Sequence, residues 1–226
     1  EHLRSRVAAS ATVGRQTDMQ GIVVPDGRVW FQLATGDDAP RLIWREFVSD
    51  GSPRDGAMEI PSMFAYFSFL MRNDARAMYV VDYRSAVTIH TIDVQSMAIQ
   101  RSVAIRPEGG GTKGFGCSAA LSNDDASLYV IGLDGQYGGG IDIVDTSTMT
   151  RRSNVASEYP IYCVSTAADS DTIYGVAAPV DGQTPVVGID PETGTEVAVS
   201  RILTAESIAP LLVMEAPLSG LEPTTP

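Results

Sequence analysis

The sequence predicts an all-β fold, a β-propeller of four-stranded blades, from three observations. A phrase made of an Asp-containing turn followed by an apolar-aromatic strand recurs four times along the 226 residues. The aromatic residues of successive copies stand 49, 50 and 45 residues apart, close to the roughly 40 to 50 residues of one propeller blade. No apolar stripe of 3.6-residue period is long enough for a helix, whereas Val, Ile, Tyr and Thr fill short runs separated by 21 Gly and 13 Pro.

The four copies read PDGRVWFQLA at 25–34, NDARAMYVVDY at 73–83, NDDASLYVIGL at 123–133 and ADSDTIYGVAA at 168–178. Their apolar-aromatic pairs are Val29-Trp30, Met78-Tyr79, Leu128-Tyr129 and Ile173-Tyr174. Runs such as AMYVV and SLYVIGL are apolar on successive residues, which in a sheet means that both faces are covered. Blades stacked face to face around an axis give their central strands that environment. A further strand follows each aromatic one and ends on an apolar-Asp step in three copies, at Asp93, Asp145 and Asp190. Asp in that position accepts hydrogen bonds from backbone amides just downstream and starts a turn. The first copy, RLIWREFVSDG, lacks the apolar-Asp pair but ends in Asp50-Gly51.

Strands of small residues precede two of the turns, CSAALS at 117–122 and CVSTAA at 163–168, and suit the crowded innermost position. The more polar IQRSVAI at 99–105 and EVAVSRIL at 196–203 suit the outer edge, which meets solvent. Blades are thus expected at about 20–60, 61–108, 109–156 and 157–203. An N-terminal arm at 1–19 precedes them, and a closing strand with a Pro-rich tail follows at 204–226. RVAASATVG and APLLVMEA are strand-like, so the two chain ends are candidates for a composite fifth blade. A five-bladed ring and an incomplete propeller completed by a partner both remain open.

Sixteen basic residues against 28 acidic ones give a net charge of -12, which repels phosphate backbones and argues against nucleic acid as a partner. Fifteen of the basic residues are Arg, the residue suited to bidentate contacts with carboxylates. The longest apolar run, MFAYFSFLM at 63–71, is cut off by Arg72, Asn73 and Asp74. No transmembrane segment is expected from it. That run is read as core packing, with an apolar patch at the propeller mouth as the alternative. The chain opens at Glu1 with no signal-like apolar core, the start of a processed mature chain or a trimmed one.

LYVIG, GGIDIVDTSTM and IYGVAAPVDGQTPVVGIDPETG carry a resemblance. Over about residues 20–203 the pattern resembles the YVTN-type β-propeller repeats of the quinoprotein amine dehydrogenase-like and lactonase-like superfamily. Members usually have seven blades, whereas four copies are visible here. The resemblance implies a fold rather than a chemistry, and it implies an extracytoplasmic setting, periplasmic or secreted.

The residue types that carry chemistry are sparse. His2 and His90 are the only histidines, too few for a His-rich zinc site. His90 and Asp93 stand three apart on one strand and therefore on opposite faces, which argues against a relay between them, and a structural or surface His90 is expected. Cys117 and Cys163 occupy nearly the same phase in neighbouring blades. Two buried free thiols are the plainer reading, because a disulfide needs Cα atoms within about 7 Å. PEGGGTKGFG at 107–116 lacks the Gly before Lys113 and the following helix that a phosphate loop requires. DGQYGGGID at 134–142 does not fit a twelve-residue calcium loop and reads as a long hairpin. Asp124, Asp125, Asp169 and Asp171 lie in turns. No catalytic, cofactor-binding or metal-ligating residue is assigned, and no cofactor is expected.

The expectation is therefore a non-catalytic interaction or scaffold subunit that docks on a larger protein assembly. A periplasmic accessory subunit of a membrane redox or photosynthetic complex is its concrete form. The alternatives are an enzyme resembling lactonases or dehydrogenase heavy subunits, and a ligand- or carbohydrate-binding propeller with equivalent pockets blade by blade.

Overall fold

In the computed structural model the described residues are 21–23, 29–34, 41–46, 54–59, 67–83, 86–106, 118–132, 139–167, 171–179, 181 and 183–203. The chain ends, from which a composite fifth blade is expected, lie outside them, as do the glycine run 107–116 and the segment 133–138. All regular structure among the described residues is β, in sixteen strands. None of them forms a helix long and apolar enough to cross a membrane.

The strands form four antiparallel sheets of four, each joined in sequence order. Blade 1 comprises β1 (Gly21–Val23), β2 (Val29–Ala34), β3 (Arg41–Glu46) and β4 (Arg54–Glu59). Blade 2 comprises β5 (Phe67–Met71), β6 (Ala77–Asp82), β7 (Thr88–Asp93) and β8 (Ala98–Ala104). Blade 3 comprises β9 (Ala119–Leu121), β10 (Ser127–Gly132), β11 (Gly139–Asp145) and β12 (Thr150–Val155). Blade 4 comprises β13 (Ile161–Thr166), β14 (Ile173–Ala177), β15 (Gln183–Ile189) and β16 (Glu196–Leu203). The first strands touch in succession, β1 against β5, β5 against β9 and β9 against β13, so they are the inner strands. The outer strands β8 and β12 are mostly exposed, as their polar sequences require.

The core lies between blades. Every residue of β10 is buried, and so is nearly every residue of β6, because alternate side chains pack on opposite neighbours. Tyr79, Val81, Tyr83 and Ile89 join blades 3 and 4 in one large apolar cluster. From the other face of blade 2, Met78, Val80 and Ile92 meet Trp44 and Met58 of blade 1. The aromatic run at 63–71 belongs to this packing where it is described: Leu70 joins the first cluster, and Phe69 and Met71 join the second.

Strand register corrects the alignment of the first copy. Phe31 pairs with Trp44, two residues before Glu46, and Tyr79 pairs with Thr91, two residues before Asp93. Phe31, rather than Trp30, therefore occupies the position of Tyr79. The first copy misleads because two aromatics stand side by side in it, and only pairing decides between them.

The Asp punctuation takes the form its chemistry predicts. Asp145 Oδ1 accepts from the amides of Ser147 at 3.0 Å and Thr148 at 2.9 Å. Asp190 Oδ1 accepts from Glu192 at 2.8 Å and Thr193 at 3.2 Å, and Asp93 Oδ1 from Ser96 at 2.6 Å. Four residues after each of these Asp the backbone turns left-handed, at Met97 (φ 53°), Met149 (φ 57°) and Gly194 (φ 69°). Positive φ costs a non-Gly residue about 1 kcal/mol. Met149 is buried in the larger apolar cluster and Met97, half-buried, packs against the smaller one of Met78, Val80, Ile92 and Val94, so side-chain burial offsets the strain.

A second set of turns ties blade to blade. Asn73 Nδ2 donates to the carbonyl of Asn123 at 2.7 Å, and Asn123 Nδ2 donates to the carbonyl of Ala167 at 2.7 Å. The Asn73 amide also donates to both carboxylate oxygens of Asp125, at 2.9 and 3.1 Å. Each Asn-Asp turn thus grips the next blade.

Acid should loosen these turns. The Ser147 hydroxyl and the Thr148 amide hold the Asp145 carboxyl at about 2, below its ordinary 3.8. Asp93 is lowered by the Ser96 hydroxyl, Asp124 by the Ser122 hydroxyl and Asp190 by the Thr193 amide. A carboxyl with a depressed folded-state value contributes in full above its unfolded value and loses that contribution as pH falls through the folded one. The thermal midpoint should therefore drop between about pH 4 and pH 2. Asp145→Asn should shrink that drop while lowering the midpoint at pH 7, as melting curves across the range will show.

Candidate functional site

The residues singled out from the sequence do not converge on one place. His90 lies on β7 at 2% exposure, on the face of blade 2 that meets blade 1, opposite Val80 and Ser102 in register. Its Nδ1 is 2.8 Å from Ser102 Oγ, and its Nε2 is buried without a partner. Burial lowers its pKa, which keeps the ring neutral. Asp93 instead caps its own turn through Ser96, so the two share no proton path. Asp124 likewise caps a turn, accepting from the Ala126 amide at 2.9 Å, and Asp171 is exposed. Among the described residues no three of His, Cys, Asp and Glu lie close enough to hold a metal ion.

The expectation of buried free thiols is corrected at Cys163. It is buried as expected but disulfide-bonded, in a chain with one other cysteine, Cys117, which lies outside the described residues. Inner strands come closer than expected. Thr166 Oγ1 on β13 donates to the Leu121 carbonyl on β9 at 3.0 Å, so the first strands of blades 3 and 4 reach direct hydrogen-bond distance.

Among the described residues the most concentrated charge lies between blades 2 and 3, where the sequence did not direct attention. Arg106, just after β8, forms a two-pronged ion pair with Asp142 on β11, through Nε to Oδ2 and through Nη2 to Oδ1 at 3.0 Å. Asp142 Oδ1 also accepts from Asn154 Nδ2 at 2.8 Å and lies 3.4 Å from Arg151 Nη1. The carboxylate is fully buried and the guanidinium nearly so. Gly132 makes room, since a Cβ there would collide with the Arg106 guanidinium. Beside the pair, Tyr83 donates from its hydroxyl to the Ser118 carbonyl at 2.5 Å. Burial, and secondarily the Asp142 charge, pushes its phenol well above the ordinary value.

Chemically this cluster is a clamp. Both Asp142 oxygens are already bonded, to Arg106 and Asn154, so the carboxylate is occupied in holding the blades together. Its sequence signal was an acidic residue inside the apolar run GGIDIV, at the strand position His90 occupies in blade 2. The partner Arg106 lies 36 residues away, beyond any local pattern.

Asp142→Asn should leave the Arg106 charge buried and half-paired, lowering unfolding free energy by about 3 to 5 kcal/mol in denaturant titration. His90→Gln should behave differently. A buried neutral His contributes fully above its unfolded pKa and loses stability as pH falls below about 6.5. The variant should flatten the dependence of the melting midpoint on pH between 7.5 and 5.

No protein-family model matches the chain, and no curated protein matches it significantly. Solved structures do match. Hydrazine synthase of Kuenenia stuttgartiensis superposes with a TM-score of 0.62 at 18% identity, over 85% of this chain and 52% of that one. The WD40 repeats of RRP9 give 0.59 at 13% identity, over 82% and 52%. TolB from Acinetobacter baumannii gives 0.54 at 14% identity, over 82% and 44%. This chain therefore spans about half the length of these structures. At such identities the likeness concerns the fold alone, and with the four sheets it shows an all-β propeller of four-stranded blades.

Proposed function

We propose that this chain is an interaction module, a propeller of YVTN-type repeats that docks on a larger protein assembly outside the cytoplasm. The observation that carries this is how the fold uses its ionisable side chains. Asp142 and Arg106 clamp two blades, Asp93, Asp124, Asp145 and Asp190 hold turns, and His90 is buried against Ser102. Groups that an acid/base mechanism would draw on are committed to rigidity. A rigid body whose connecting loops project from it is what a docking platform requires. Propellers of this architecture include both hydrazine synthase and WD40 repeats, so the fold admits either use and the residues must decide.

The disulfide at Cys163 supports an extracytoplasmic setting, since such bonds persist where the surroundings are oxidising. A membrane-bound redox or photosynthetic complex facing that compartment is the concrete partner, in keeping with the extracytoplasmic setting of the repeat family. An affinity-tagged chain recovered from its native membranes should bring down a larger complex in fixed ratio, identified by mass. Recovery of the chain alone from both membrane and soluble fractions, together with turnover of a lactone substrate, would overturn the docking role.

A further inference from the structure

The apolar cluster that joins blade 1 to blade 2 is rich in methionine. Of the eight methionines in the chain, Met58, Met71, Met78 and Met97 gather there, beside Trp44 and Phe69. Met71, Met78 and Ile92 stand side by side across β5, β6 and β7. Met78 is fully buried, whereas Met58, Met71 and Met97 are half-buried and reach solvent at the rim of the cluster. Among the described residues its buried part is Met78, Val80, Ile92 and Val94. Each methionine around so small a centre carries a large share of the contact.

The repeat supplies its own comparison. Met97 and Met149 occupy one position, four residues after the turn Asp, with the same left-handed backbone at φ 53° and 57°. Met149 is 2% exposed within the larger cluster, while Met97 is half-buried against the smaller one. The two share residue type and local geometry and differ in access. Access is what matters for a thioether sulfur, which has no proton to lose and reacts where an oxidant can reach it.

We infer that Met58, Met71 and Met97 form an oxidation site whose modification by hydrogen peroxide loosens the seam between blades 1 and 2. The sulfur lone pair attacks one peroxide oxygen, the S–O bond forms as the O–O bond breaks, and the departing hydroxide takes up a proton to leave as water. Sulfur is thereby oxidised by two electrons and the peroxide reduced by two. The product places a polar sulfinyl oxygen against Val80, Ile92 and Val94, where apolar packing held the blades together. At Met97 it also removes the apolar burial that offsets the left-handed backbone. Met78 and Met149 are shielded by their burial. Methionine sulfoxide reductases reverse the change, which makes the seam switchable rather than merely damaged. The inference stands apart from the docking role, because it concerns cohesion within the chain.

The test exposes the folded chain to millimolar hydrogen peroxide, maps sulfoxide at each methionine by peptide mass over time, and follows the melting midpoint of the same samples. Met58, Met71 and Met97 should gain oxygen at least about tenfold faster than Met78 and Met149, and the midpoint should fall as they do. Treatment with the two sulfoxide reductases should restore it. A variant carrying Met58→Leu, Met71→Leu and Met97→Leu keeps side-chain volume close to that of the parent and should hold its midpoint through the same peroxide exposure. Met149 oxidising as fast as Met97 overturns the inference, and that comparison needs no variant. Oxidation of the three rim methionines that leaves the midpoint unchanged overturns it too. So does a triple-Leu variant whose midpoint peroxide lowers as far as that of the parent, because the sensitivity then lies elsewhere.

Discussion

The structure depends on burial of each sheet by the sheet after it. A β-strand with apolar residues on both faces cannot be satisfied inside its own sheet, so β6 and β10 need neighbours on two sides. At roughly 25 cal/mol per Å² of apolar surface removed from water, the gain accrues at blade contacts rather than within any one blade. Stability is therefore cooperative along the series. That dependence also sets the terms for the polar groups on those faces: Asp142 is tolerable because Arg106 and Asn154 complete it, and Tyr83 because the Ser118 carbonyl accepts a hydrogen bond from its hydroxyl.

Turns at the two ends of the strands do different work. Asp93, Asp145 and Asp190 end one strand and begin the next by capping free amides, and the left-handed residue four positions later sends the chain back. In blades 2 and 3 that residue is Met, which accepts an unfavourable backbone conformation and buries a flexible side chain in return. Blade 4 uses Gly194 and avoids the strain. The Asn73 and Asn123 turns, by contrast, act across blades, fixing how far one sheet rotates from the next.

A rigid series of sheets leaves function to its surfaces and loops. Among the described residues, the charge that the fold organises most tightly is spent on cohesion between blades 2 and 3, and the large exposed hydrophobics, Tyr174 and Val197, lie on blade 4. Both facts follow from one repeat seen in different places. A middle blade hides its tyrosine under a neighbour, and the last described blade presents the same residue to solvent.

Much of the fold was legible in the sequence because a blade writes a local signal. The Asp turn, the apolar-aromatic pair, the polar outer strand and the small-residue inner strand all lie within about fifty residues of one another, and the four sheets follow them. His90 could be set apart from Asp93 by strand alternation alone. Other features needed contacts between blades. Trp30 and Phe31 are equally good strand residues, and only pairing with Trp44 identifies which one matches Tyr79. Arg106 finds Asp142 through the approach of neighbouring sheets, a distance that no spacing along the chain encodes. Periodicity determines what each strand is, because it arises within one blade; which side chains meet is decided in three dimensions, because the core of this protein lies between blades.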